Sequence, residues 1–300
     1  MTRPAVSLGH LATERLHPLA AALDTGDARG IVRAMQAADE EAVAAVRAAD
    51  DAIARLAELA AAVIGLGGKI LYLGAGTSGR LGALDAVECI PTFGLAPGVF
   101  DFAIAGGDAA LTAPIEGAED DGEAGVDAVR CASERGDLVI AISASGRTPY
   151  CLGALDFARA HGRRTGFVCA NAPPAGVAEV VVQLDTGPEI LAGSTRLKAG
   201  TATKLALNRI STTAMALLGK TWRGRMVDVL ATCEKLSDRA CRIVVELGGV
   251  SEADARVLLG RAAGHVKTAV AMARLGVDHL AAREALARTQ GSLGRLLDPR

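Results

Sequence analysis

The chain has 300 residues, a formal net charge of -2 and an apolar fraction of one half, so it can build one large domain with a smaller one beside it. The near-neutral charge excludes a general nucleic-acid binder, which needs a basic excess. Aromatic residues make up only 3%, which removes stacking platforms for single strands and leaves the core to Ala, Val, Leu and Ile.

Residues 28–63 place Ile31, Val32, Met35, Val43, Val46, Ile53, Leu56 and Leu59 at three- and four-residue spacing. This predicts one amphipathic helix with Asp27 as its N-cap. Gly65, Gly67 and Gly68 end it and release the chain into a strand over Lys69–Leu73. The strand runs into Gly74-Ala75-Gly76-Thr77-Ser78-Gly79-Arg80 and a short helix that ends near Glu88. A glycine- and hydroxyl-rich turn opening a helix brings backbone N–H groups and the positive end of the helix dipole to an anionic ligand. Gly74, Gly76 and Gly79 also fit the dinucleotide fingerprint loosely. That fold needs an acid about 20 residues on, at the end of a second strand, and neither Glu88 nor Asp101 is well placed for it.

Pro91–Gly94 reads as a turn and Val99–Ala105 as a second strand. Ala109–Ile115 reads as a short helix with Glu116 at its end, and Glu119-Asp120-Asp121 leads into a helix reaching about Glu134. A third strand, Asp137–Ile142, runs straight into Ser143-Ala144-Ser145-Gly146-Arg147-Thr148, and Pro149 opens the next helix, to His161. Strands four and five are Thr165–Cys169 and Val177–Leu184. Such alternation predicts an α/β fold, a parallel sheet with helices on both faces, whose ligands bind outside the carboxyl ends of the strands at the switch point in strand order. Both hydroxyl-rich loops follow strands directly and so share that edge. A long helix then runs to about Leu218, and the tail from Met226 has only helical periodicity, with Ser251 as one N-cap and Asp254 three residues on. The expected domains are a helical segment at 1–64, a sheet domain at 65–222 and a small helical domain at 223–300.

The Ser143–Thr148 loop is the second anion-binding candidate, with three hydroxyls and Gly146 at a strand-to-helix junction suited to a phosphate monoester. A serine-rich turn with capping duties only is the alternative. No Gly-Lys-Ser/Thr ending is present, which excludes a nucleoside triphosphate loop. Arg80, Arg147, Arg196 and Lys198 lie in or beside these loops; each is a candidate partner for phosphate or carboxylate, or else a solvated charge. Glu88 has the apolar neighbours Ala86, Val87, Cys89, Ile90 and Pro91, surroundings expected to raise its pKa and favour a proton donor. Glu116 sits between Ile115 and Gly117, and the two carboxylates are candidates for a split of acid and base roles.

No His or Cys cluster has metal-ligand spacing, so no metal site is expected, and no Gly-x-Ser-x-Gly elbow is present. The six cysteines include no C-x-x-C pair and read as reduced thiols. Met1–Gly9 lacks a leader pattern, and the longest apolar stretch, Leu56–Leu73, is broken by Glu58, glycines and Lys69. A cytoplasmic protein without membrane contact is expected.

The motifs resemble those of N-acetylmuramic acid 6-phosphate etherases. The matching residues are Leu73–Gly82, then Leu84-Asp85-Ala86 leading to Glu88-Cys89, Ile115–Asp120, Ala144–Tyr150, Arg196 with Lys198–Ala202, and Asn208 with Ser211-Thr212, all in the family's order. The resemblance implies a sugar isomerase (SIS) fold: a three-layer αβα sandwich that binds phosphosugars, followed by a small helical domain. It also implies a homodimer, no cofactor, and a carbon–oxygen lyase that cleaves the lactyl ether of its substrate in cell-wall sugar recycling. By the same resemblance Glu88 is the acid for the leaving oxygen and Glu116 the C2 base. Thr77, Ser78, Gly79, Ser143, Ser145 and Thr148 hold the 6-phosphate, and Arg196 or Lys198 the lactyl carboxylate. The chain keeps Thr13-Glu14-Arg15 but not the Asn-Pro that usually follows, and it has Leu197 and Cys233 where the family has Met and Asn. A non-catalytic phosphosugar sensor and an aldose–ketose phosphosugar isomerase are the alternatives; a sensor could lose both glutamates, which are present here, and an isomerase would leave Glu88 unexplained.

Overall fold

The computed structural model describes residues 9–229 and 234–298; Cys233 and most of the stretch read for a leader lie outside the described residues. In chain order come α1 (Ala22–Thr25), α2 (Ala28–Ala48), α3 (Asp50–Gly65), β1 (Ile70–Gly74), α4 (Gly76–Phe93), β2 (Phe100–Ile104) and α5 (Ala109–Thr112). Next are α6 (Gly122–Ala132), β3 (Leu138–Ser143), α7 (Pro149–Ala160), β4 (Arg164–Cys169), β5 (Val180–Gln183) and α8 (Lys198–Leu217). A two-stranded hairpin, β6 (Thr221–Trp222) and β7 (Arg225–Met226), precedes α9 (Glu234–Gly248), α10 (Glu252–Arg261), α11 (Val266–Leu275), α12 (His279–Arg288) and α13 (Leu293–Leu297).

The five-stranded sheet is parallel throughout, in the order β2-β1-β3-β4-β5. The order turns back between β1 and β3, so the switch point lies between those two strands. Their register sets Gly74 beside Ile142, which brings the two hydroxyl-rich loops out at neighbouring strand ends. Both strands are buried along their whole length, as a sheet covered on both faces requires. Side chains alternate between the faces. Leu71, Leu73, Val139, Ala141 and Phe167 share one apolar cluster with Val129 of α6 and with Tyr150, Ala154, Leu155 and Ala158 of α7. On the other face Leu56 of α3 lies over Gly166, and Gly82 of α4 over Tyr72 and Ile142. The result is the three-layer α/β arrangement of the SIS fold.

The chain forms two compact units. One comprises Met1–Ala86 and Gly98–Ser211 and holds the sheet; the other comprises Val87–Pro97 and Thr212–Arg300. The second unit has its own core, built from Trp222, Val244, Leu247, Val266, Val270, Met272, Leu286 and Leu293. Three of its helices have side-chain caps: Ser251, Asp278 and Ser292 accept from the N–H groups of Asp254, Ala281 and Arg295.

Three expectations change. The single helix over 28–63 is two helices broken at Ala49, whose φ of -96° and ψ of 9° leave the helical region. Alanine-rich flanks on both sides keep the apolar period running through the break, so periodicity cannot show it. Asp27 does cap the first of them, accepting from Gly30 N–H at 2.7 Å. The turn at Pro91–Gly94 is instead the end of α4, with Pro91 inside the helix. Proline there omits one N–H in the last turn, and the Thr92 hydroxyl donates to Glu88 O at 2.7 Å. The helix bearing Glu116 stops at Thr112, because Ala113 turns extended ahead of Pro114.

Candidate active site

The first loop is shaped by glycines that side chains would block. A methyl group on Gly79 would lie 2.7 Å from Gly74 O and 2.6 Å from the Ile104 side chain, while Gly76 turns at a φ of +51°. The chain thus reverses tightly at the end of β1 and opens α4 with Thr77 and Ser78, both half-buried, in its first turn, where backbone N–H groups have no intrahelical acceptor. The start of α8 adjoins this turn: a methyl on Gly200 would touch Thr77 Cγ2 at 3.6 Å.

The second loop forms a hydroxyl cluster. Ser143 Oγ is 2.7 Å from Thr148 Oγ1 and 3.2 Å from Ser145 Oγ, and accepts from Gly146 N–H at 3.2 Å. The Arg147 N–H donates to Ser145 Oγ. Hydroxyl rotors can exchange these mutual bonds for bonds to phosphate oxygens without moving the backbone. The Arg147 guanidinium donates to Ala172 O at 2.9 Å, so it braces the loop against the segment after β4. Asn171 completes the brace. Its side-chain amide donates to Ala144 O and to Thr13 Oγ1, and its carbonyl accepts from Ala12 N–H. Thr13, from the Thr13-Glu14-Arg15 motif, is therefore buried at this edge. Nothing in the spacing around Asn171 marks it; only its place after β4 does.

Glu116 lines a cavity of about 210 Å³ together with Gly76, Arg80, Ala105, Ile115 and Glu119. The first loop and one candidate carboxylate therefore share a wall. Glu88 is exposed, as is Val87, while Ala86 and Cys89 are buried on the opposite side of α4. The apolar surroundings expected from its sequence neighbours are thus not realised in this chain, because a helix turns consecutive residues to different faces. Arg196 is exposed. Lys198 is only 1% exposed and its ammonium donates to Glu41, which also pairs with His17. Burial raises the Glu41 carboxyl, but the Lys198 and His17 contacts outweigh it and hold the group below its ordinary range.

Two carboxylates that the sequence reading did not single out are buried beside these elements. Glu189 caps α8, accepting from the N–H groups of Lys198 and Ala199 at 2.9 Å each, and burial pushes its pKa up. Asp85 accepts from Tyr72 Oη at 3.1 Å, Asn208 Nδ2 at 2.6 Å and Ser211 Oγ at 3.2 Å; burial pushes it up despite these donors. The signal for Asp85 was its seat one helical turn before Glu88 in an apolar stretch. Among the described residues no group of three or more His, Cys, Asp or Glu is placed to hold a metal ion, and no helix is long and apolar enough to cross a membrane.

Residues 51–159, which include both loops, Glu88 and Glu116, match the family model described as the glucokinase regulatory protein N-terminal SIS domain. A protein of Geobacillus thermodenitrificans named N-acetylmuramic acid 6-phosphate etherase is 45% identical over 97% of this chain and all of its own length. One of the same name from Salmonella agona is 46% identical over 98% of this chain and its whole length. The chain belongs to the N-acetylmuramic acid 6-phosphate etherases. Among solved structures, a putative phosphosugar isomerase from Bacteroides fragilis is 18% identical over 70% of this chain and 96% of its own, with a TM-score of 0.49. Since the etherases match end to end, both the sheet unit and the helical unit fall within the family's common length.

Proposed function

We propose that the protein cleaves the D-lactyl ether of N-acetylmuramic acid 6-phosphate, giving N-acetylglucosamine 6-phosphate and D-lactate. The observation that carries this reading is the pairing, at neighbouring strand ends, of a hydroxyl cluster suited to a phosphate with a cavity that holds Glu116 beside the first loop. In the open-chain aldehyde the C2 proton is acidic because it adjoins the carbonyl. Glu116 takes it as base. The C3–O bond breaks, a proton is supplied to the departing lactate oxygen by Glu88, and the double bond forms between C2 and C3. Water then adds across that bond, returning a proton to C2 and a hydroxyl to C3. The 6-phosphate sits on Ser78, Ser143, Ser145 and Thr148, with Thr77 and Gly79 shaping the first loop, and Arg196 meets the lactyl carboxylate. Lys198, whose charge Glu41 takes up, holds α2 to the start of α8 and serves the carboxylate only indirectly.

Glu88 is exposed on α4, and we assign it to the site of a second copy, in a cytoplasmic homodimer. The purified protein is expected to release D-lactate stoichiometrically with phosphosugar. Glu88→Ala should abolish release while phosphosugar binding persists. A wild-type protein that binds the phosphosugar and releases no lactate would instead support a regulatory role, the reading favoured by the match to the glucokinase regulatory protein domain.

A further inference from the structure

Arg80 belongs to the family motif, and its guanidinium is engaged by backbone carbonyls. From α4 its Nε donates to Leu111 O at 3.2 Å and its Nη2 to Ala113 O at 3.1 Å. These are carbonyls at the end of α5 and at its C-cap, groups that a helix leaves without internal partners. The helix is a single turn, and an isolated turn of that length does not hold itself together. Ala110 is its one buried residue. Beyond the clamp the chain is short and directed: Ala113 is extended ahead of Pro114, Ile115 rests on Gly106, and Gly117 turns left-handed at a φ of +75°. Glu116 lies between the clamp and that turn, in the cavity that Arg80 also lines.

We propose that Arg80 is the positioning residue for Glu116: its guanidinium ties the end of α5 to α4 and so sets where the Glu116 carboxylate stands relative to the first loop. This inference rests on the assignment of Glu116 as the base. A guanidinium offers several in-plane donors in a fixed fork, which suits two carbonyls two residues apart; an ammonium on a flexible stem cannot reproduce that plane.

Arg80→Lys and Arg80→Gln, each with and without Glu116→Gln, test it by lactate release and by titration with N-acetylglucosamine 6-phosphate. Both single substitutions should lower kcat about tenfold to a hundredfold, the scale of a misplaced reacting group. KM and product affinity should stay within about threefold, because the Arg80 side chain is engaged by the carbonyls of Leu111 and Ala113 and makes none of the assigned phosphate contacts. In the Glu116→Gln background neither substitution should lower the residual rate further. Amide exchange should rise over Leu111–Gly117 and remain unchanged over Ser143–Thr148. Product affinity falling tenfold would make Arg80 a ligand of the substrate and overturn the inference. So would an undiminished effect in the Glu116→Gln background, or wild-type kcat in both Arg80 variants. If Glu116→Gln alone keeps full activity, the assignment of the base fails first, and that outcome is read without any Arg80 variant.

Discussion

Gly153→Ala places one methyl group where the packing of α6 on α7 has no room. A Cβ at Gly153 would lie 2.5 Å from Gly122 O, 3.1 Å from its carbonyl carbon and 3.2 Å from its Cα. Ordinary contact begins near 3.4 Å, so the helices must separate by close to an ångström. The obstructing atoms are backbone, and no rotamer change relieves them. Overpacking of this kind costs about 1–3 kcal/mol. Alanine recovers up to about 1 kcal/mol of helix propensity over glycine. The net expectation is a loss of about 1–2 kcal/mol. In a urea titration followed by far-UV circular dichroism that is a fall of roughly 0.5 M in midpoint at unchanged slope, for a slope of about 3 kcal/mol/M. The control is Gly260→Ala in α10, where a methyl meets nothing within 4 Å. It should leave the midpoint unchanged or raise it. Because α7 begins at Pro149, directly after the hydroxyl cluster, Gly153→Ala should also raise KM for the phosphosugar. A Gly153→Ala midpoint at or above that of the wild type would refute the reasoning, since backbone contact would then not set the spacing of these helices.

Two further outcomes are expected. Burial pushes the thiols of Cys151 and Cys169 up to about 12, whereas Cys131 is exposed. Iodoacetamide on the native protein at pH 8 should modify Cys131 and spare the other two in a peptide map; early labelling of Cys151 would show that the α7 face of the sheet opens readily. Asp85 gives a pH dependence with a definite sign. Its folded-state pKa is raised by burial, so the folded chain binds the proton more tightly than the unfolded one. Its contribution is therefore most favourable below the ordinary carboxylate pKa and declines as pH rises toward the raised folded value. Asp85→Asn should flatten that decline in urea titrations across pH 3.5–7; an Asp85→Asn profile parallel to wild type would mean that Asp85 does not carry it.

The loops proposed for the site were legible in the sequence. Loops such as Gly74–Arg80 and Ser143–Thr148 announce themselves because glycines, hydroxyls and a following helix start are local features. Asp27 and Ser251 were readable as caps for the same reason: a cap bonds to a backbone group three residues away. Glu88 shows the limit of such reading, since apolar sequence neighbours do not make an apolar environment on a helix. Asn171 and Glu189 were missed because their partners, Thr13, Ala144, Lys198 and Ala199, are chosen by where the chain returns in space and not by spacing.

The sequence by itself determined the strands, the two glycine- and hydroxyl-rich loops and their common edge, because a run of apolar residues feeding a glycine-rich helix start admits few other structures. The family followed from the order of the motifs. Tertiary structure alone decided which charges face the cavity and which are already engaged. It engages Lys198 with Glu41, buries Asp85 among three donors, and bonds the Arg80 guanidinium to the carbonyls of Leu111 and Ala113, just before Glu116. The reason is that a side chain's charge acts over a few ångströms. Which groups come that close depends on packing between segments far apart in the chain.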